Sequence, residues 1–345
     1  MSSKTKVLLI QRFAELDFEL IKRHLAENYP ETKVIHIHNT KNNLFIFIIN
    51  QLKIFWHLIR SEGCVIDSFV LPIGLPKLGK KTTVIQMWHA LGAIKKFGYT
   101  ALDTEEGVTA KQAKLFRMHK GYDYICAGGP ATIKAFAESF GVNKEKVLPL
   151  GMPRADYLKD KSIQKRVKEK LYRLYPQLNN GLPNILYAPT YRKSGENGLM
   201  ELVKNYDHTK SNLIVKLHPL TNINLSDIPE YVLVDSEFTT IDWLMDTDVL
   251  VSDYSAVCIE ASILDISTIF YVFDLDQYSK DRGLFLNFED RSINLPGSVT
   301  KNSKDVFNYA LNGKFSSKKL SLFKASYCPS DKQNSTKAII DLLFI

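Results

Sequence analysis

The feature that most constrains this chain is a recurrence of short, almost uninterrupted apolar runs separated by stretches of helical length. Residues 6–11, 33–38, 64–70, 83–87, 122–127 and 147–150 read as strands, and the mixed segment 17–28 between the first two reads as a helix. Several of these runs are apolar without alternation. Such strands must be covered on both faces, as in a parallel sheet flanked by helices. The first half is therefore expected to be an open α/β sheet.

A second series, 184–187, 213–217, 232–234, 249–251 and 268–272, repeats the pattern after a compositional break. The break is a basic helical segment, 161–175, closed by Pro176 and the turn signal Asn179-Asn180-Gly181. The expected organisation is a first domain over 1–158, a linker helix over 159–182, and a second domain over 183–345 with a closing C-terminal helix. Two doubly wound parallel-sheet domains facing across a cleft make a GT-B-like α/β architecture the predicted fold.

A length of 345 residues with 45% hydrophobic and 24% charged content is enough for two cores and argues against disorder. No apolar run approaches the roughly 20 residues of a membrane span, and residues 1–6 are too polar and short for a signal peptide. The expectation is a protein that stays in the cytoplasm. Cys64, Cys126, Cys258 and Cys328 lie far apart without a Cys-x-x-Cys pair, so they are read as reduced, buried thiols. A formal charge of +8 and pI near 9.0 imply an anionic partner: nucleic acid, an acidic membrane or a phosphate-bearing substrate. No nucleic-acid-binding module is recognisable. The segment 45–60 is apolar around most of its circumference, and a buried helix is the leading reading over an interfacial membrane helix. The following residues 70–76, with Lys77, Lys80 and Lys81, form a second candidate for bilayer contact.

Ligands of doubly wound sheets bind beyond the carboxyl ends of strands, which singles out four places. Trp88-His89-Ala90-Leu91-Gly92 puts an imidazole at a strand end ahead of Lys95 and Lys96. Such a group can take a proton from a hydroxyl at neutral pH, although a structural histidine is the ordinary reading. Tyr187-Ala188-Pro189-Thr190-Tyr191-Arg192 ends in a guanidinium fork suited to phosphate, or in a solvated loop arginine. Lys216-Leu217-His218-Pro219 delivers a second strand-end histidine. Ser252-Asp253-Tyr254-Ser255 leads into a helical stretch, where Ser255 is either a phosphate ligand or a plain N-cap, and Glu260 lies a turn later within reach of ribose hydroxyls. Asp274-Leu275-Asp276 is too short a match for a metal motif, and His36 and His38 lack a third ligand.

In order and spacing these segments resemble the CDP-glycerol glycerophosphotransferase family of teichoic acid synthesis, the TagB and TagF type. Gly151-x-Pro153-Arg154-x-Asp156, Phe270-Tyr271-x-x-Asp274-Leu275-Asp276-x-Tyr278, Arg282-Gly283 and Leu295-Pro296-Gly297 extend the likeness, which runs from about Thr83 to Val299. The resemblance implies a GT-B fold, acceptor handling by the first domain, cytidine nucleotide binding by the second, and no cofactor or metal. It implies that His89 is the general base and His218 a second catalytic group. It also implies that Thr190, Arg192, Lys216, Ser252, Asp253, Ser255 and Glu260 bind the donor, with Lys95, Lys96 and Arg154 as acceptor or phosphate candidates. Its partners would be CDP-glycerol, a lipid-linked saccharide acceptor and the anionic inner face of the cell membrane, held peripherally, with no nucleic acid. Ala90 and Ala256 depart from residues usual in the family, Glu260 stands where Asp is more frequent, and the Ala90 to Lys96 stretch looks closer to the priming branch. CDP-ribitol donors, polymerisation, and a nucleotide-sugar glycosyltransferase of capsule synthesis stay open as alternatives.

Overall fold

The computed structural model describes residues 5–39, 43–75, 82–104, 107–192, 195–218, 220–221, 223–290 and 292–344. Its contacts divide into two units, Met1–Asp156 with Pro329–Ile345, and Tyr157–Cys328.

In the first unit, β1 (Lys6–Gln11), β2 (Lys33–His38), β3 (Gly63–Ile66), β4 (Thr83–Gln86), β5 (Tyr124–Cys126) and β6 (Val147–Leu148) form one sheet in the order β2-β1-β3-β4-β5-β6. Every neighbouring pair is parallel. Val7 to Ile10 of β1 are wholly buried, which accounts for a run with no polar alternation. The helices are α1 (Glu15–Asn28), α2 (Leu44–Leu58), α3 (Ala110–Leu115), α4 (Thr132–Phe140) and the first turn of α5 (Pro153–Lys159), whose residues from Tyr157 on fall in the second unit. The chain leaves β1 for β2 on one side and returns to β3 on the other, so the strand order reverses between β1 and β3.

The second unit opens with α6 (Lys161–Leu174), then β7 (Asn184–Tyr187), α7 (Leu199–Val203), β8 (Asn212–Val215), β9 (Val232–Val234), α8 (Thr240–Leu244), β10 (Val249–Ser252) and α9 (Val257–Ile263). It continues through β11 (Ser267–Tyr271), α10 (Leu275–Arg282), β12 (Val299–Thr300), α11 (Ser303–Asn312) and α12 (Ser317–Tyr327). Its strands are parallel, in the order β12-β11-β10-β7-β8-β9, and the order reverses between β7 and β10. Ile185, Tyr187, Val215, Val251 and Ile269 build the core beneath one face of this sheet.

Two boundaries differ from the sequence-based expectation. The segment expected as a linker, α6, packs into the second unit. Asp160 caps it through Ser162 and Ile163 N–H, its stripe Ile163, Val167 and Leu171 is buried, and Tyr172 donates to Asp246 at 3.1 Å. Each of those apolar side chains contributes about 1.5–3 kcal/mol by burial. The C-terminal segment, expected to close the second domain, belongs to the first unit. Its helix α13 (Ser335–Asp341) has Asn334 as N-cap, accepting from Lys337 N at 2.8 Å, and Asp156 adds a carboxylate that accepts from Ser335 N at 3.0 Å and Thr336 N at 2.7 Å. Gly151, with φ of 78°, leaves room for this segment, since a Cβ there would lie 2.7 Å from Pro329 Cγ.

The buried-helix reading of 45–60 is also corrected. Only Ile54 of α2 is buried, whereas Phe45, Leu52 and Trp56 are 71%, 65% and 56% exposed. In the 70–76 stretch Val70, Pro72 and Ile73 lie in the interior and Leu75 is exposed, while Pro76 falls outside the described residues. Lys77, Lys80 and Lys81 lie outside the described residues. Among the described residues no helix is long and apolar enough to cross a membrane.

Candidate active site

In the first unit, the loops leaving β1, β3 and β4 meet at the carboxyl edge of the sheet, where its strand order reverses. Asp67, just after β3, is fully buried and accepts from the backbone N–H of Arg12, Phe13 and Ala14 at 2.6–2.9 Å. Its carboxylate thereby satisfies the free amides ahead of α1. The Asp67 carbonyl oxygen lies 3.1 Å from His89 Nδ1. A carbonyl only accepts, so Nδ1 carries the proton and the neutral ring keeps its lone pair on Nε2. Burial lowers the His89 pKa from 6.5, and Arg154 and Lys95 push the same way, while the Asp67 hydrogen bond and charge act in opposition. The imidazole is neutral at physiological pH and has the tautomer a proton acceptor needs.

Trp88, immediately before, sits at φ 64°, a left-handed conformation that is costly for a bulky residue. It is held there by a 2.8 Å bond from its N–H to Gln86 Oε1 and by stacking on Phe97 at 4.8 Å. Its indole then packs on His89 at 4.2 Å, and Phe13 meets the same imidazole at 4.8 Å. Lys95 and Lys96 are half-buried further along this loop. Arg154, an acceptor or phosphate candidate with Lys95 and Lys96, is held on a carboxylate. It grips the fully buried Asp17 through its backbone N–H at 2.8 Å and Nε at 2.9 Å, with Nη2 on the same carboxylate. Together with Asp156 on α13 and Gly151 beside Pro329, this makes Gly151-x-Pro153-Arg154-x-Asp156 an anchor for α1 and the C-terminal segment.

In the second unit, β7 and β10 deliver Thr190 to Arg192 and Ser252 to Ser255 to the equivalent reversal. Here burial separates scaffold from accessible groups. Arg192 is buried, with Nε on Asp274 at 2.5 Å, Nη2 on Asp274 at 3.0 Å and on Asp253 at 2.9 Å, and Nη1 on the Thr190 carbonyl at 2.9 Å. Burial opposes its charge, but the hydrogen bonds and charges of Asp274 and Asp253 more than offset that and raise its pKa. A guanidinium spent on two carboxylates has no fork left for a phosphate. The expected phosphate clamp is therefore a clamp between loops, and Asp274, set aside as a metal ligand, is its main partner. Tyr254 adds a 2.9 Å hydrogen bond to Asp274.

Lys216 is likewise committed, donating at 3.0 Å to both the carbonyl and the carboxylate of Asp235. Asp235 also accepts from Tyr175 at 2.5 Å and Trp243 Nε1 at 2.7 Å, and these bonds keep its pKa low although burial works to raise it. Ser252 donates to the Ala188 carbonyl at 2.7 Å, and Asp253 accepts from Thr190 N at 2.9 Å. Both are buried, as is Glu260.

The accessible groups are fewer. Ser255 is half-buried at the start of α9. His218 is exposed beyond β8 and lies against Tyr191 at 5.2 Å. Its Nδ1 accepts from Leu220 N at 3.2 Å, so the ring proton is on Nε2, which makes that nitrogen a donor. The tautomers of His89 and His218 are thus opposite. Asp67 was missed by sequence reasoning, and Asp274 was noted there only in a discounted Asp-x-Asp match and in a family-like segment, without the role it has here. A shared signal was that each follows a strand, Asp67 directly after β3 and Asp274 shortly after β11.

The sequence profile of the CDP-Glycerol:Poly(glycerophosphate) glycerophosphotransferase family matches residues 3–345. The chain is 28% identical over 308 residues to the teichoic acid ribitol-phosphate primase of Bacillus spizizenii, covering 86% of this chain and 78% of that protein. It is 27% identical over 332 residues to the teichoic acid glycerol-phosphate primase of Bacillus subtilis, covering 92% and 81%. A histidine-to-asparagine variant of the wall teichoic acid polymerase TagF, soaked with CDPG, superposes with a TM-score of 0.73 at 20% identity over 99% of this chain and 88% of that one. Two six-stranded parallel sheets with this likeness make the fold GT-B-like. The chain belongs to the CDP-glycerol:poly(glycerophosphate) glycerophosphotransferase family and is a transferase of that family.

Proposed function

We propose that the enzyme transfers glycerol phosphate from CDP-glycerol to a hydroxyl of an undecaprenyl-diphosphate-linked saccharide and releases CMP. The acceptor oxygen attacks the phosphorus that bears the alditol, the bond from that phosphorus to the bridging oxygen breaks, and CMP leaves with the electron pair. His89 Nε2 takes the hydroxyl proton. His218 Nε2–H, with Ser255 and the Thr190 turn, stabilises the charge on the departing phosphate. A well-aimed donor of this kind contributes about 3 kcal/mol. Arg192, Asp253 and Ser252 hold the turns in register, which phosphoryl transfer needs because its catalysis is mainly alignment. The observation that carries the reading is the pair of opposite tautomers, an acceptor nitrogen on His89 and a donor nitrogen on His218.

A ribitol donor is the second reading, favoured by the similarity to a ribitol-phosphate primase. Peripheral attachment to the cytoplasmic face of an anionic membrane is supported by the +8 charge and by the exposed Phe45, Leu52 and Trp56 on α2. The test is incubation with CDP-glycerol or CDP-ribitol and a lipid-linked disaccharide, with and without vesicles of anionic phospholipid, reading CMP and product mass. One added alditol phosphate per acceptor, with CMP, is the expected product. CMP release from neither donor overturns the reading.

A further inference from the structure

The β1–α1 turn, Arg12 and Phe13, is left unused by the chemistry above. Its position is that of a ligand site, since it lies where the strand order reverses and next to His89. Phe13 is an apolar side chain left 55% exposed two residues beyond the end of a largely buried strand. The ring is fixed rather than loose. Its backbone N–H is bonded to Asp67 at 2.6 Å, and its centroid lies 4.8 Å from that of His89. The Arg12 guanidinium lies 4.7 Å from the ring centroid and is exposed. Asp67, the nearby carboxylate, already serves three backbone amides. Among the described residues no carboxylate forms an ion pair with Arg12. The guanidinium covers part of the ring as a cation–π contact and His89 meets it as well, but the ring is still 55% exposed. That exposed part can stack on the C–H face of a pyranose, and the Arg12 N–H groups, attracted by the Asp67 charge but in no ion pair with it, can bind phosphate in a fork.

We infer that Arg12 and Phe13 form the acceptor subsite, with Phe13 under the acceptor sugar that bears the pyrophosphate and Arg12 on that pyrophosphate. This rests on the acceptor being a phosphate-linked saccharide. It makes Phe13 a positioning residue for the hydroxyl at His89 and Arg12 the group that distinguishes a phosphorylated acceptor from a plain glycoside.

The experiment is calorimetric binding, without donor, of an octyl-pyrophosphoryl disaccharide and of the same disaccharide as its octyl glycoside. Wild type, Arg12→Gln, Phe13→Leu and Phe13→Tyr are compared after circular dichroism has shown each to be folded. Phe13→Leu should weaken both ligands by about tenfold, while Phe13→Tyr restores them. Arg12→Gln should weaken only the pyrophosphoryl ligand, again by about tenfold. Unchanged affinities in the variants, equal loss of both ligands in Arg12→Gln, or no binding by wild type overturns the inference. So does a Phe13→Leu effect seen only on binding to vesicles of anionic phospholipid. Because no donor is present, these results are independent of whether transfer from a CDP-alditol occurs.

Discussion

Replacing Arg192 by alanine separates a scaffold role from a ligand role. The Arg192 side chain is 6% exposed, and its partners Asp253 and Asp274 are 2% and 18% exposed. Removing it leaves two carboxylates facing each other with little water to screen them. Loss of one partner from a buried pair costs about 3–5 kcal/mol. For a unit of this size each kcal/mol lowers Tm by about 2–4 °C, so a fall of about 6–20 °C is expected. A protein with ordinary stability, about 5–15 kcal/mol, still folds at low temperature. Arg192→Lys keeps the charge but loses the fork, and it should fall between wild type and alanine. The assay is thermal unfolding, followed by calorimetric titration of CDP-glycerol at a temperature where all three proteins are folded. If Arg192→Ala melts within about 2 °C of wild type while its donor affinity collapses, the guanidinium is a ligand group and the reasoning fails.

Two further predictions follow from buried groups of the first unit. Burial holds the His119 imidazole, 4% exposed among Trp88, Tyr122 and Phe140, down to about 3 from 6.5. The unfolded chain takes up a proton below pH 6.5 that the folded chain refuses. The stability is therefore complete above pH 6.5 and is lost as pH falls towards 3, by about 1.4 kcal/mol per unit. Denaturant melts of His119→Gln against wild type from pH 7 to 4.5 should show that slope reduced by one proton; equal slopes would remove His119 as its source. Asp156→Ala should cost about 1–2 kcal/mol by leaving the Ser335 and Thr336 N–H groups at the start of α13 without their carboxylate, although the N-cap Asn334 remains. Amide exchange should then quicken at Ser335 and Thr336, and unchanged exchange there would contradict the anchoring role.

What was legible in the sequence was the part that local pattern determines. Val7 to Ile10 and Leu213 to Val215 are buried on both faces, so their strands carry the plain apolar signature, and the strand ends led directly to His89 and His218. β12, with two residues, is too short to show any period and was missed. The commitments of Arg192 and Lys216 were illegible because their partners Asp274, Asp253 and Asp235 are remote in sequence, and only the fold brings them together. The return of residues 329–344 to the first unit depends on Asp156 and the room beside Gly151, neither of which announces a partner. α2 misled because an apolar helix reads the same whether protein or another phase covers it.

The central claim is that His89 accepts the proton of the attacking hydroxyl. It is tested most directly by measuring CMP release from CDP-glycerol with a lipid-linked disaccharide, for wild type and His89→Gln, alongside calorimetric CDP-glycerol affinity. The account predicts that release falls by about 100-fold or more while donor affinity stays within about twofold. A folded His89→Gln enzyme that keeps more than about a tenth of the wild-type rate contradicts it.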